Sequence, residues 1–357
     1  MVAYILKKVA YGFTVLFGVI SVIFFLFSIV PGDPALIILG QRASKEAIEN
    51  VHHELGTDRS LGVQYLNYLN DLSPVSIHNF RQKESIRFLN PEKYDWVSLT
   101  KFGSNVVVLK KPYLRRSYVS KRPVSDILAE TLPETAVLAF SAMLLATLIG
   151  IGLGVTTAVK KDSLYDRSVF VLATVFGMSA PSFFTGLLLA WLFGYVWSDF
   201  TGLSPSGSLR EFDVWKGETI QIKNLILPAI TLGIRPLSVI IQLTRASMLD
   251  VMAQDYIRTA RAKGLSRYRI ITRHALRNAL NPVVTTISGW LAGLLAGAVF
   301  VEKIFSWKGI GFEVVEGLAN NDLPVVMGAT IIFALIFAVI NVLVDILYAY
   351  LDPRIRI

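Results

Sequence analysis

Asp255 to Pro282 reads DYIRTARAKGLSRYRIITRHALRNALNP, a basic, helix-prone segment lying between two long apolar runs. Arg258, Arg261, Lys263, Arg267, Arg269, Arg273 and Arg277 sit in it with only one acid, Asp255. Such a density of positive charge beside apolar spans stays on the cytoplasmic side of a membrane. Tyr256, Ile257 and Ala260 fall on one side of a helix, with Arg258 and Arg261 offset from them. Gly264 splits the segment into two short helices, and Ser266 is positioned to cap the second. There Tyr268, Ile271 and Ala275 form one stripe and Arg269, Arg273 and Arg277 another. Two readings stay open: an apolar stripe seated in a groove on a partner protein with a basic rim around it, or a basic amphipathic helix lying on anionic lipid.

Outward from this segment the chain is apolar. Its 357 residues are 53% hydrophobic and 17% charged, with a mean hydropathy of +0.54. That excludes an ordinary soluble domain and indicates a polytopic membrane protein. The net charge of +9 does not mark a nucleic-acid binder, because most of the charge lies in short loops beside apolar spans. Absent cysteines exclude disulfides, thiolate metal sites and Cys nucleophiles.

Six segments have the roughly 20 apolar residues that a helix needs to cross a bilayer core about 30 Å thick. Val9–Val30, Ala136–Val159, Ser168–Ser198, Pro282–Val301 and Leu323–Val344 carry no charge, and Leu225–Leu243 carries only Arg235. The first run is too long for a signal peptide and lacks a small-residue cleavage pattern, so it reads as a retained helix. With the N-terminus inside, the short cytoplasmic segments hold fifteen Lys and Arg, whereas the short outer loops and span four hold six. This bias places both termini in the cytoplasm.

Residues 1–30 are then a cytoplasmic N-terminus and first helix, and 31–132 an extracytoplasmic loop. Residues 133–350 are a membrane core holding a cytoplasmic loop at 248–281, and 351–357 are a cytoplasmic tail. Within the long loop, residues 73–113 look inserted, and the β-prone run Val106-Val107-Val108-Leu109 predicts a small folded element there. Pro181 kinks or breaks span three, as either a static bend or a moving, pathway-facing part. Gly289, Gly293 and Gly297 form a smooth ridge on span five, for packing within the subunit or against a second subunit. Gly150, Gly152 and Gly154, at two-residue intervals, carry less weight. Arg235, mid-span beside Pro236, either meets an anionic group in a pathway or pairs with a neighbouring helix. Asn341, Asp345 and Glu302 read as interfacial anchors.

His52-His53 makes a poor chelate, since adjacent side chains diverge, so no metal site is expected. No paired carboxylates or Ser-His-Asp set has supporting context, so no catalytic residue is expected either.

Tyr256-Ile257-Arg258-Thr259-Ala260-Arg261-Ala262-Lys263-Gly264, followed by His274-Ala275-Leu276-Arg277-Asn278-Ala279-Leu280-Asn281-Pro282, resembles the cytoplasmic signature loop of ABC importer permeases. More narrowly it resembles the dipeptide/oligopeptide/nickel branch. Arg258 and Thr259 stand where the wider family has Glu and Ala, and Arg277 stands at its closing Pro. Further matches are Pro31-Gly32-Asp33-Pro34, Leu55-Gly56-Thr57-Asp58-Arg59-Ser60, Arg122-Pro123-Val124, Phe305-Ser306-Trp307-Lys308-Gly309-Ile310-Gly311 and Leu351-Asp352-Pro353-Arg354-Ile355-Arg356.

The resemblance implies an all-α polytopic membrane protein of the bacterial inner membrane. One leading helix precedes a five-helix permease core, giving six transmembrane helices, with a long extracytoplasmic loop between helices 1 and 2. It implies a second homologous permease, two cytoplasmic ATPases and an extracytoplasmic solute-binding protein as partners, besides membrane lipid. Tyr256 to Leu265 would be the ATPase-coupling contact. A phosphate-cradling loop needs Gly-Lys-Ser or Gly-Lys-Thr, and the chain has no Gly-Lys dipeptide. ATP with Mg would accordingly be used on partner subunits, with no cofactor on this chain, which is a pore subunit and not an enzyme. Short peptides lead as solute, and nickel or a metal chelate follows. A stand-alone channel, a secondary carrier, or a membrane scaffold on a permease-like body remains as an alternative.

Overall fold

The computed structural model describes residues 2–29, 33–40, 43–81, 88–91, 93–215 and 217–351. Pro31-Gly32 of the first motif and the tail from 352 to 357 lie outside the described residues. Helix α1 (Val2–Ile29) carries the first apolar run, and α2 (Pro34–Leu39), α3 (Lys45–Leu55) and α4 (Leu61–Leu72) follow it. Local caps start two of these: Asp33 accepts from the Ala35 N–H, and Ser44 from that of Ala47. Strands β1 (Val75–Asn79), β2 (Trp96–Phe102) and β3 (Asn105–Lys110) precede the long α5 (Val124–Val159).

Helices α6 (Leu164–Leu172) and α7 (Ser182–Leu189) are each extended by a π-helical turn, to Ser179 and Val196. Helix α8 (Ser198–Thr201) and the hairpin β4 (Arg210–Asp213) and β5 (Gly217–Ile220) lead to α9 (Lys223–Met252). After α10 (Asp255–Ala262), α11 (Arg267–Arg269) passes through a π segment at Ile270–Ala275 into α12 (Leu276–Gly297). Helices α13 (Val299–Phe305), α14 (Ile310–Ala319) and α15 (Leu323–Leu351) complete the described chain.

Among the described residues four helices are long and apolar enough to cross a membrane, or up to six if each of two bent pairs is one span. The third run is not one kinked helix: its halves meet at 111° across Ala180-Pro181. Ala180 and Pro181 are both extended, with ψ of 132° and 137°; for Ala180 the steric clash of the following Pro ring disfavours the helical region. The chain is mostly helical as expected, but not wholly so: among the described residues five strands in two sheets occupy the loops.

Residues 1–15, 131–312 and 333–357 form one compact unit. Its core packs α5 against α9 and α12 through Leu138, Ala142, Ile240 and Val283. A Cβ at Gly150 would lie 2.7 Å from Ile240 Cγ2, and one at Gly154 2.5 Å from Thr244 Cβ. These two glycines are four residues apart, so they seat α9 against α5. The intervening Gly152, which meets nothing within 4 Å, masks that spacing in the sequence. Gly154→Ala is therefore expected to lower the unfolding midpoint, at a cost of about 1–3 kcal/mol. Gly152→Ala should be neutral or mildly stabilising, because Ala is the better helix former. Thermal unfolding of the two purified variants checks the contrast. Asp345, read as an interfacial anchor, pairs with Lys8 at 2.7 Å and ties α15 to α1.

Residues 16–130 and 313–332 form the second unit. Ile23, Phe24 and Tyr68 pack there against Met327 and Ile331. The expected folded element in 73–113 is an antiparallel sheet with β3 in the centre, order β1-β3-β2, whose Val106 and Val108 are buried. Beside it Asp71 accepts from the Tyr94 hydroxyl at 2.6 Å, and the Lys110 ammonium donates to the Asp71 carbonyl. The Ser117 hydroxyl and the Tyr118 N–H both donate to Asp322, fixing the segment before α5.

Burial pushes Lys110 from 10.5 down to about 8. Between those values the unfolded chain holds a proton that the folded chain has released, so stability rises with pH above about 8. Tyr94 and Tyr68, raised by burial, reverse the slope once unfolded tyrosines ionise near 10. The apparent unfolding midpoint should thus climb from pH 7 to about 9, and Lys110→Met should reduce that climb.

Candidate functional site

The basic elbow between α9 and α12 is built by its own sequence. Gln254 is extended, and α10 begins at Asp255, a favourable charge for a first turn. Gly264 ends it with a φ of +76°, a left-handed conformation that residues with a Cβ resist. The Gly264 N–H donates to the Arg261 carbonyl and the Leu265 N–H to that of Ala260, at 3.0 and 3.3 Å. That pair of bonds is a Schellman end, and Leu265 accordingly packs in the same cluster as Ala260. Ser266 then accepts from the Arg269 N–H and starts α11, so the two-helix reading with its Ser cap holds.

The apolar side of the elbow is turned inward. Ile257 is fully buried, and Ala260, Ile270, Ala275 and Ala279 join it against Met248 of α9 and Ala158 of α5. Of the expected stripe on the second helix, Ala275 is buried and Ile271 packs beside it, but Tyr268 does not join them. Tyr268 is 78% exposed, and the buried positions step from 270 to 275 to 279. The π segment at Ile270–Ala275, closed by i→i+5 hydrogen bonds, holds more residues per turn than a regular helix and so rotates Tyr268 away from the face that a 3.6-residue period would give it. The inward packing corrects the picture of an apolar stripe free to enter a partner's groove, since Ile257 and Ala260 already pack within the chain.

What remains outside is polar and cationic. Arg258, Thr259, Arg261, Ala262, Lys263 and Gly264 are exposed, as is Tyr256, while Leu265 is half-buried. Arg258 lies 3.3 Å from Asp255, both solvent-exposed, a pair of little energetic weight. Arg261, Lys263, Arg269, Arg273 and Arg277 have no carboxylate partner among the described residues. Two polar ties hold the elbow to the spans: the Asn278 amide donates to the Tyr256 hydroxyl at 2.8 Å, and Arg267 donates to the Val159 carbonyl at 3.1 Å. These bonds tie α10 to α12 and α11 to the end of α5.

A neighbouring clamp was missed in the sequence. Arg245 of α9 grips both Asp166 oxygens of α6 at 2.7 Å, and Asp166 also accepts from the Asp162 N–H. Bidentate pairing of this kind fixes geometry as well as charge. Its only sequence trace is two opposite charges at the ends of apolar runs.

The other candidate residues do not join the elbow. Pro181 stands at the 111° break. Arg235 is exposed on α9, with no ion-pair partner among the described residues. A Cβ at Gly289 or Gly293 would meet no atom within 4 Å among the described residues, so neither is closely packed against them. The surroundings of Gly297 lie outside the described residues. Glu302, read as an interfacial anchor, is fully buried and accepts from Thr135 Oγ1 at 2.8 Å and the Phe312 N–H at 3.0 Å. No group of three or more His, Cys, Asp or Glu able to hold a metal occurs among the described residues.

Residues 150–357 match the family described as binding-protein-dependent transport system inner membrane component, and residues 1–83 match its N-terminal companion. The dipeptide transport system permease protein DppB of Escherichia coli K12 is 36% identical over 374 aligned positions, covering 100% of this chain and 99% of that protein. A protein of Brucella abortus strain 2308, described as a peptide transport system permease, is 38% identical over 358, with 100% and 99% coverage. Among solved structures, the inward-facing MetNI methionine ABC transporter superposes with a TM-score of 0.52 at 16% identity, over 64% of this chain and 97% of that one. That likeness speaks for the fold alone. From the elbow outward to both ends of the alignment, this chain belongs to the binding-protein-dependent transport system inner membrane components, the permease subunits of ABC importers.

Proposed function

We propose that the chain is one half of the pore of an ATP-driven importer of short peptides, and that the elbow is its contact with a cytoplasmic ATPase. The observation that carries this reading is the elbow's two-sidedness. Its apolar side is packed onto α5, α9 and α12, and its outer side presents unpaired cations and the exposed turn at Lys263-Gly264. A partner surface bearing acids can bind that side and move the spans beneath it. Peptides are favoured because the relatives aligned end to end are described as dipeptide or peptide permeases.

In this reading six spans cross the inner membrane, with both termini and the 248–281 segment inside and residues 31–132 outside. ATP with Mg is bound and hydrolysed by two partner ATPases, and a solute-binding protein delivers from outside. The exposed Gly289-Gly293 ridge suits a seam with a second permease, where small residues let helices approach closely. Pro181 and Arg235 are candidates for the hinge and the lining of the pathway.

The chain has no cysteine, so a single Cys at position 261 gives a clean probe. It should react with an impermeant maleimide in inside-out vesicles and not in intact cells, and should crosslink to the ATPase subunit. The purified chain alone should hydrolyse no ATP. Labelling of position 261 from outside intact cells would overturn the orientation and the contact together.

A further inference from the structure

The unit formed by residues 16–130 and 313–332 contains a cavity of about 710 Å³ that the transport reading does not use. Lys93, Arg115, Arg116 and Lys121 line it, against the carboxylates Glu54 and Asp71. Asp71 is already engaged by the Tyr94 hydroxyl at 2.6 Å and by Lys93 at 3.5 Å. Arg115, Arg116 and Lys121 have no carboxylate within ion-pair distance among the described residues, whereas the next cation, Arg122, is paired with Glu130. Excess positive charge is thus concentrated where a low-dielectric wall strengthens it.

The guanidinium of Arg115 is held in place. It lies 5.2 Å from the centre of the Tyr68 ring, in cation–π contact, and its backbone has a φ of +66°, uncommon for a residue with a side chain. Strain at a non-glycine residue needs the surrounding structure to maintain it, here through the anchoring of Ser117 and Tyr118 on Asp322. Arg116 next to it is exposed and donates to the Lys121 carbonyl at 3.4 Å. Planar guanidinium groups recognise carboxylates through paired N–H donors.

We propose that this cavity is a subsite for a short peptide, its C-terminal carboxylate held by Arg115 and Arg116. The volume lies in the range of small-molecule sites and far exceeds what a lone oxyanion fills. Asn67, Asn70 and Tyr113 complete its walls, the Asn70 amide being held by the Ile77 backbone and the Tyr113 ring lying 4.9 Å from the Lys93 ammonium, so that this side of the cavity is fixed before a ligand enters. The proposal rests on the peptide reading above and gives this unit a task that the pore does not provide.

The test uses the full chain in lipid nanodiscs, titrated calorimetrically with the dipeptide Ala-Phe, its C-terminal amide and inorganic phosphate. Ala-Phe should bind, its amide at least about tenfold more weakly, since one good charge-assisted pair corresponds to that factor. Arg116→Gln and Arg115→Gln should each weaken Ala-Phe by a similar factor. Arg116, being exposed, keeps the test meaningful if Arg115→Gln misfolds, and thermal unfolding monitors both. Equal affinity for dipeptide and amide would overturn the proposal. So would phosphate binding as tightly as Ala-Phe, wild-type binding by Arg116→Gln, or binding only when a solute-binding protein is present. Peptide uptake by the assembled transporter is measured in parallel. Uptake without binding at the cavity refutes this subsite alone, whereas binding without uptake refutes the peptide-import reading.

Discussion

Gly264→Pro should cut solute uptake by more than tenfold while the chain still inserts and assembles. Gly264 has a φ of +76°, whereas the proline ring locks φ near −65°. The substitution also removes the N–H that bonds the Arg261 carbonyl. The Schellman end of α10 is lost, Leu265 leaves Ala260, and the Ser266 cap that starts α11 is displaced. None of the long apolar spans contains this residue, so insertion is preserved. Gly264→Ala keeps the N–H and pays only the left-handed cost, about 1–2 kcal/mol, and should fall between wild type and the Pro variant. Uptake by proteoliposomes containing the whole transporter, normalised to permease content, gives the ranking Gly, Ala, Pro. Undiminished uptake by a well-assembled Pro variant would mean that the elbow's geometry does not transmit the ATPase cycle.

The elbow was legible because its determinants are local. A glycine at a helix end, a Ser immediately before the next helix and a run of cations against one acid all lie within the one segment from Asp255 to Pro282. What the sequence hid was the face each helix presents. Tyr268, Ile271 and Ala275 satisfy a regular helical period, but the π segment at Ile270–Ala275 replaces it, and no residue there announces the change. The same limit applies to the glycines. Gly289 and Gly293 have the favoured spacing yet meet nothing within 4 Å among the described residues, while Gly150 and Gly154 carry the α5–α9 contact behind an intervening Gly152. Spacing shows that a close approach is permitted, and only the partner helix decides whether it occurs. Charged residues at the ends of apolar runs were misread for a related reason. Asp345 and Glu302 look like interfacial anchors, and Asp166 like a charge with no visible role, until Lys8, Thr135 and Arg245 are brought beside them from 337, 167 and 79 residues away.

Glu302→Ala is expected to be the most destabilising single substitution in the 131–312 region. The side chain is fully buried and accepts from Thr135 Oγ1 and the Phe312 N–H, and Thr135 in turn accepts from the Ile310 N–H at 2.9 Å. It thereby satisfies the first turn of α14, whose N–H groups have no partner inside the helix. The glycines of the Phe305–Gly311 motif follow from this arrangement: a Cβ at Gly309 would lie 2.4 Å from a Glu302 oxygen, and one at Gly311 2.9 Å. Trp307, fully buried, closes the knot by donating from its ring nitrogen to the Glu134 carbonyl at 3.0 Å. Alanine removes the acceptor and leaves at least two buried donors without partners, at about 1–3 kcal/mol each, besides opening a cavity. An apparent unfolding midpoint lower by roughly 5 °C or more should result. Glu302→Gln keeps the volume and one acceptor oxygen, so it should lose distinctly less. If the Ala variant melts with the wild type, the carboxyl is not what holds α13 to the start of α14.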